Sequence, residues 1–162
     1  MSHLLHPPLL DELGLESAVR EFIEGFVQRS NIDVTFFLSS GFERLSQDYE
    51  LAIFRVVQEC LTNIHRHSGS KIAKILLSQQ DGVVHCEISD QGKGIPDIHQ
   101  LALNSSATIG VGLRGMRERA RQLGGILEIH SNSEGTTSSL SCLSQELSEN
   151  RPGRLLNRLI SV

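Results

Sequence analysis

No apolar stretch in this chain of 162 residues approaches the roughly 20 needed to cross a bilayer as a helix. The N-terminus also lacks the basic, apolar, then small-residue order of a secretory signal. Basic charge is in short supply. Fifteen Lys and Arg face 19 Asp and Glu, a formal net charge of -4, so no global positive field draws in nucleic acid or an anionic membrane. Cysteine is scarce and odd in number. Cys60, Cys86 and Cys142 stand far apart, with no CxxC and no Cys/His cluster, which argues against a disulfide framework or a zinc site. Three buried, reduced thiols are expected instead, and with them a reducing, cytoplasmic compartment. There is no internal repeat, no low-complexity tract and no Gly-Lys-Ser/Thr of a P-loop. Local anion binding stays open, because backbone amides and a few side chains suffice for it.

What is present is ordinary globular material, 39% hydrophobic and 21% charged, enough for one core. Leu4 to His6 opens an apolar-periodic stretch that stops at Pro7-Pro8, a pair that ends a helix. The abrupt start is expected of a cut through a longer protein. Leu9 to Gly14 reads as a turn region, and Ser17 as an N-cap whose third following residue, Arg20, forms no capping box. Val19, Phe22, Ile23, Phe26 and Val27 then mark an amphipathic helix to about Arg29. Ile32 to Phe36 alternates as a strand. A second helix is expected from Ser46 or Asp48 to His67, with Phe54, Val57, Leu61 and Ile64 as its buried stripe. Lys71 to Gln80 and Val83 to Ser89 form a hairpin around Asp81-Gly82. Gln91 to Ile109 reads as a long loop. A helix is expected from Leu113 to Gly124-Gly125, and Ile126 to His130 with Thr136 to Leu143 closes the domain as a second hairpin. Leu155, Leu156, Leu159 and Ile160 leave room for a short helix in a fraying tail.

Three features carry chemistry. Glu59, Asn63 and His67 recur every four residues and share one helix face. A carboxylate and an amide there offer oxygen ligands to a hard cation, although alone the trio is what any solvated helix face shows. Asp90-x-Gly92-x-Gly94 follows a strand directly, which alone is an ordinary turn. Gly110-x-Gly112-Leu113-x-Gly115 stands just before a helix, where amides and dipole favour anions. It is no Rossmann fingerprint, since no strand runs into it. Together the three describe a nucleotide site.

Their order resembles the GHKL ATPase superfamily, most closely the ATP-binding domain of bacterial sensor histidine kinases, in the subgroup paired with LuxR-type response regulators. The run Phe54 to Ser68 is similar to that subgroup's N box, Asp90 to Gly94 to its G1 box, Gly110 to Arg119 to its G2 box, and Gly135-Thr136 to its terminal GT motif. Leu4 to Leu15 resembles the join from the dimerisation helices. The resemblance implies a two-layer α/β sandwich of the Bergerat type, a mixed sheet of about five strands with three helices on one face. It implies residues 1–14 as the end of a dimerisation helix and linker, 15–145 as the catalytic domain, and 146–162 as a tail. ATP and Mg²⁺ are the implied cofactors. Asn63 would be a metal ligand bridging to the phosphates, and Glu59 would orient the metal's water or act as a base. Arg66 and His67 would face the phosphates, and Asp90 would accept the adenine amino hydrogen, with Thr136 supporting it through water. Gly92 and Gly94 would pass against the adenine, while Gly110, Gly112, Leu113 and Gly115 would shape the lid hinge and helix start.

There are departures from the pattern. No histidine sits in the setting of a phosphoacceptor, so this chain alone should bind ATP without phosphorylating itself. Ile64 and His65 replace the small or basic residues common after the N-box Asn, and the lid, Gln100 to Ile109, is short. The implied partners are a dimerisation domain, absent here, and a response regulator; the parent would be a homodimer, possibly membrane-anchored, and the fragment a monomer. Two alternatives stand beside this reading: a serine kinase of the anti-sigma-factor type and a catalytically idle GHKL module.

Overall fold

The computed structural model describes residues 8–95 and 108–144. Helix α1 spans Pro8–Ser30, β1 Asp33–Leu38 and α2 Gln47–Asn63, which runs on into a π-helical turn, Ile64–Ser68. The hairpin β2 (Ile72–Gln80) and β3 (Val83–Asp90) follows, then α3 (Thr108–Gln122) and a second hairpin, β4 (Ile126–Asn132) and β5 (Gly135–Leu143). The five strands form one sheet in the order β1-β2-β3-β5-β4. β1 lies parallel to β2, with Asp33 beside Ile72, and every other pairing is antiparallel. This is the expected mixed sheet with its three helices.

Alternation along the strands explains the two layers. Ala73, Ile75 and Leu77 on β2, Val84, Cys86 and Ile88 on β3, and Leu140 and Cys142 on β5 are buried. They share one cluster with Val19, Ile23 and Phe26 of α1, Ile53, Val57 and Leu61 of α2, and Leu113, Met116 and Ala120 of α3. Side chains of period two from the sheet thus meet stripes of period 3.6 from the helices. The intervening residues, such as Lys74, His85 and Glu87, are half-buried or exposed on the other face. All three cysteines are free and buried, as expected. Asp81 and Gly82 both take positive φ, 51° and 73°, the turn geometry that the twist of a two-residue hairpin favours.

Two boundaries differ from the sequence reading. Residues 8–13 are helical, not a turn, because Pro8 occupies a first helical position, where its missing N–H costs nothing and its φ is preset. Gly14, at φ 86° and ψ -177°, kinks the chain there, and Ser17 lies inside the helix instead of capping it. The Arg44 side chain lies where a Gly14 Cβ would project; it bonds the buried Glu50 carboxylate at 2.9 Å and the Asp11 carbonyl at 3.4 Å. Helix α3 begins at Thr108, five residues before Leu113, so its glycines are helical and do not form a preceding loop. Gly112 is tolerated there because α2 packs so near that any Cβ would meet the Glu59 carboxylate. The Leu4 to His6 helix, the lid (most of Gln100 to Ile109) and the tail stretch at Leu155 to Ile160 lie outside the described residues.

Candidate active site

Between the C-terminal half of α2, the start of α3 and the sheet lies a cleft. Ile64, Ile88, Ile95, Leu113, Met116 and Ile129 supply apolar walls, and Asn63, His67, Ser68, Asp90, Thr136 and Ser138 supply polar groups. An apolar slot with few convergent polar groups is the usual build of a small-molecule site.

Asp90 ends β3 and is only 9% exposed. Burial pushes its carboxyl above the ordinary value of 3.8, while the Gly92 N–H, the Ser68 hydroxyl and the Thr136 backbone pull it back towards the charged form. The Gly92 N–H reaches Oδ1 at 2.8 Å. The loop after Asp90 is pinned on both sides. Lys93 N–H donates to the Ser68 carbonyl at 2.9 Å, Gln91 N–H to the Ser70 hydroxyl at 3.3 Å and Ile95 N–H to the Ser131 hydroxyl at 2.7 Å. Ser131 Oγ in turn lies 2.8 Å from Thr136 Oγ1. A Gly94 Cβ would run into the Asn132 carbonyl, and a Gly135 Cβ into that of Asp90, so both glycines serve close backbone approach.

The N-box residues separate in space. Asn63 and His67 both line the cleft. His67 Nε2 is buried and has no hydrogen-bond partner among the described residues. An unpaired buried ring nitrogen costs free energy unless a ligand completes it, so this atom fits a site built for a polar group that enters the cleft. Glu59 stands one turn earlier, its carboxylate against Gly112 and not among the lining groups. Arg66 is exposed and does not line the cleft, although the sequence reading paired it with His67. Adjacent residues of a helical turn point in different directions, so the pair does not face the cleft together. Gly94, Leu113 and Thr136 line the cleft; Gly92, Gly110, Gly112 and Gly115 do not, Gly92 packing on the Ser68 backbone and Gly112 on the Glu59 side chain. Sequence reasoning passed over Ser68, Ser70, Ser131 and Ser138. Ser70 accepts the Gln91 N–H from 21 residues away, and a hydroxyl bonded to a distant backbone leaves no periodic trace.

No helix among the described residues is long and apolar enough to cross a membrane. No cluster of three or more His, Cys, Asp or Glu side chains is gathered among them either. A metal would rest on mixed ligands such as the Asn63 amide, with phosphate oxygens completing its shell.

A mixed five-stranded sheet under three helices, with a buried carboxylate in an apolar cleft, defines an ATPase domain of the GHKL kind. The family model described as histidine kinase-, DNA gyrase B- and HSP90-like ATPase matches residues 48–146, and the chain belongs to that family. Sensor histidine kinase MctS of Rhizobium johnstonii is 34% identical over 137 residues, covering 85% of this chain and 29% of that protein. Oxygen sensor histidine kinase NreB of Staphylococcus carnosus is 31% identical over 127 residues, 78% of this chain and 35% of its own length. The chain thus spans about a third of these relatives. Among solved structures, the histidine kinase domain of a blue-light-activated histidine kinase from Erythrobacter litoralis superposes with a TM-score of 0.69. That match covers 83% of this chain and 63% of that one at 19% identity, a likeness of fold.

Proposed function

We propose that this chain is the ATP-binding catalytic domain of a two-component sensor histidine kinase. It holds ATP so that the γ-phosphate is presented to a histidine on a dimerisation domain outside this chain, and from there to a response regulator of the LuxR type. The observation that carries the reading is the pairing, in one apolar cleft, of the buried Asp90 carboxylate with a His67 Nε2 that has no partner among the described residues. A carboxylate that accepts the Gly92 N–H has lone pairs to spare for an exocyclic amino group. The isoleucines, Leu113 and Met116 exclude water from a flat ring. Asn63 would offer its amide oxygen to Mg²⁺, His67 Nε2 would meet a phosphate oxygen, and Glu59 of the preceding turn would support the metal site from outside the cleft lining. Magnesium, when bound, neutralises charge on the phosphates, and phosphoryl transfer depends mainly on such positioning and neutralisation. Helix α3 begins against Glu59 through Gly112, which links the metal-facing side of α2 to the far wall of the cleft.

Calorimetric titration of ATP into the chain, with and without Mg²⁺, tests this. Binding that tightens with Mg²⁺ is expected. Absence of binding at millimolar ATP, in this chain and in one extended through the dimerisation helices, refutes it.

A further inference from the structure

The inward positions of β4 run Leu127, Ile129, Ser131, and the last of these breaks an apolar series. Leu127 and Ile129 pack on the core, whereas Ser131 is half-buried and brings a hydroxyl to the same face. In the β4–β5 register Ser131 stands opposite Thr136, so their side chains meet across the hairpin. The two hydroxyl oxygens lie 2.8 Å apart, the length of a full O–H···O bond. The Ile95 N–H donates to the same Ser131 oxygen at 2.7 Å, across a sequence separation of 36 residues. The Gly135 carbonyl is a third neighbour at 3.4 Å, long beside the Thr136 contact. Ile95 and Thr136 both line the cleft, and Ser131 does not.

We propose, on the reading of the cleft as an ATP site, that Ser131 is a positioning residue for nucleotide binding that acts through the Thr136 hydroxyl. An amide N–H can only donate, so the Ile95 contact commits a lone pair of Ser131 and fixes where its oxygen sits. That oxygen then holds Thr136 Oγ1 from across the hairpin. A single hydrogen lies between the two oxygens, so Thr136 keeps bonding capacity for a polar edge that enters the cleft. It offers its own hydrogen when Ser131 donates, and a lone pair when Thr136 does. Without the serine the Thr136 hydroxyl loses its tether, and a ligand must order it on binding. Gly94 packs on the same oxygen, since a Cβ there would lie 3.0 Å from it. The hydroxyl thus sits where the loop after Asp90 meets the closing hairpin. Alanine at 131 removes both of its short bonds, while valine at 136 nearly keeps the threonine shape and removes only the hydroxyl.

The test is a double-mutant cycle on ATP affinity, read by calorimetry on the full chain with Ser131→Ala, Thr136→Val and the two together. Each single variant is expected to weaken ATP about fivefold to tenfold, the size of one hydrogen bond. In the Thr136→Val background, Ser131→Ala is expected to change affinity by less than about twofold, because the group it acts through is gone. A role confined to packing would give the same loss in both backgrounds. Equal losses on Ser131→Ala with and without the Thr136 hydroxyl, or no loss from either single variant, overturn the positioning role. No binding of ATP by the unaltered chain, alone or extended through the dimerisation helices, overturns the nucleotide reading, and the Ser131 role with it. If the alanine variant does not fold, Ser131→Cys keeps the size with a weak donor and carries the same expectation.

Discussion

Alanine at position 94 separates two costs that glycines usually mix. Gly94 has φ 71° and lines the cleft, and its Cβ would fall on the Asn132 carbonyl, 2.8 Å from the carbonyl carbon and 3.0 Å from Ser131 Oγ. Gly124, after α3, has φ 63° and nothing within 4 Å of its Cβ among the described residues. A left-handed backbone costs an alanine about 1–2 kcal/mol at either site. Forcing a methyl onto a backbone carbonyl adds roughly 1–3 kcal/mol, since a carbonyl cannot rotate aside as a side chain can. Gly124→Ala should therefore cost about 1–2 kcal/mol and Gly94→Ala about 2–5 kcal/mol. At about 3 °C per kcal/mol for a chain of this size, Tm falls by roughly 3–6 °C and 6–15 °C. Thermal unfolding followed by circular dichroism reads both. Only Gly94→Ala should also weaken ATP, because relief of the clash moves either the Asp90 loop or the β4–β5 hairpin. Equal drops in Tm for the two variants, or unchanged ATP affinity in Gly94→Ala, would refute the reasoning.

Two further outcomes follow from burial. Because the folded-state pKa of Asp90 is raised above 3.8, the native state holds its proton longer than the unfolded chain. Stability from this group is therefore lost as pH rises from about 3.8 through the raised folded value, and the charged carboxylate is a net burden at neutral pH. Asp90→Asn should raise Tm at pH 7, lose that advantage in acid and weaken ATP binding at least tenfold; a Tm lower than the parent's at pH 7 would contradict this. Burial likewise pushes the Cys60 and Cys142 thiols to about 12, and Cys86 higher still. Iodoacetamide at pH 8 should label none of the three in the folded chain and all three in denaturant, as mass spectrometry would count. Labelling of any one before unfolding would disprove its burial.

Much of the architecture was legible in local pattern. The stripe Phe54, Val57, Leu61 and Ile64 marked the buried side of α2, and Asp81-Gly82 marked a hairpin whose two positive φ values match it. Boundaries were less legible where one residue type supports opposite outcomes. Proline halts a preceding helix and also begins the next, so Pro8 opened α1 where a turn was expected. Glycine breaks helices in isolation, yet Gly110, Gly112 and Gly115 lie within α3, because the neighbour that fills the space of a Gly112 side chain is Glu59, far away in sequence.

By itself the sequence determined the periodicities, the turns and the order of motifs that mark the family, for these depend on neighbours within a few residues. Only the tertiary structure decided the sheet order β1-β2-β3-β5-β4, the exposure of Arg66 beside a cleft-lining His67, and the serine contacts that brace Asp90. Burial, an unpaired ring nitrogen and the reach of a hydroxyl exist only once distant segments are packed against one another. No local pattern encodes which carbonyl a serine will meet across the fold.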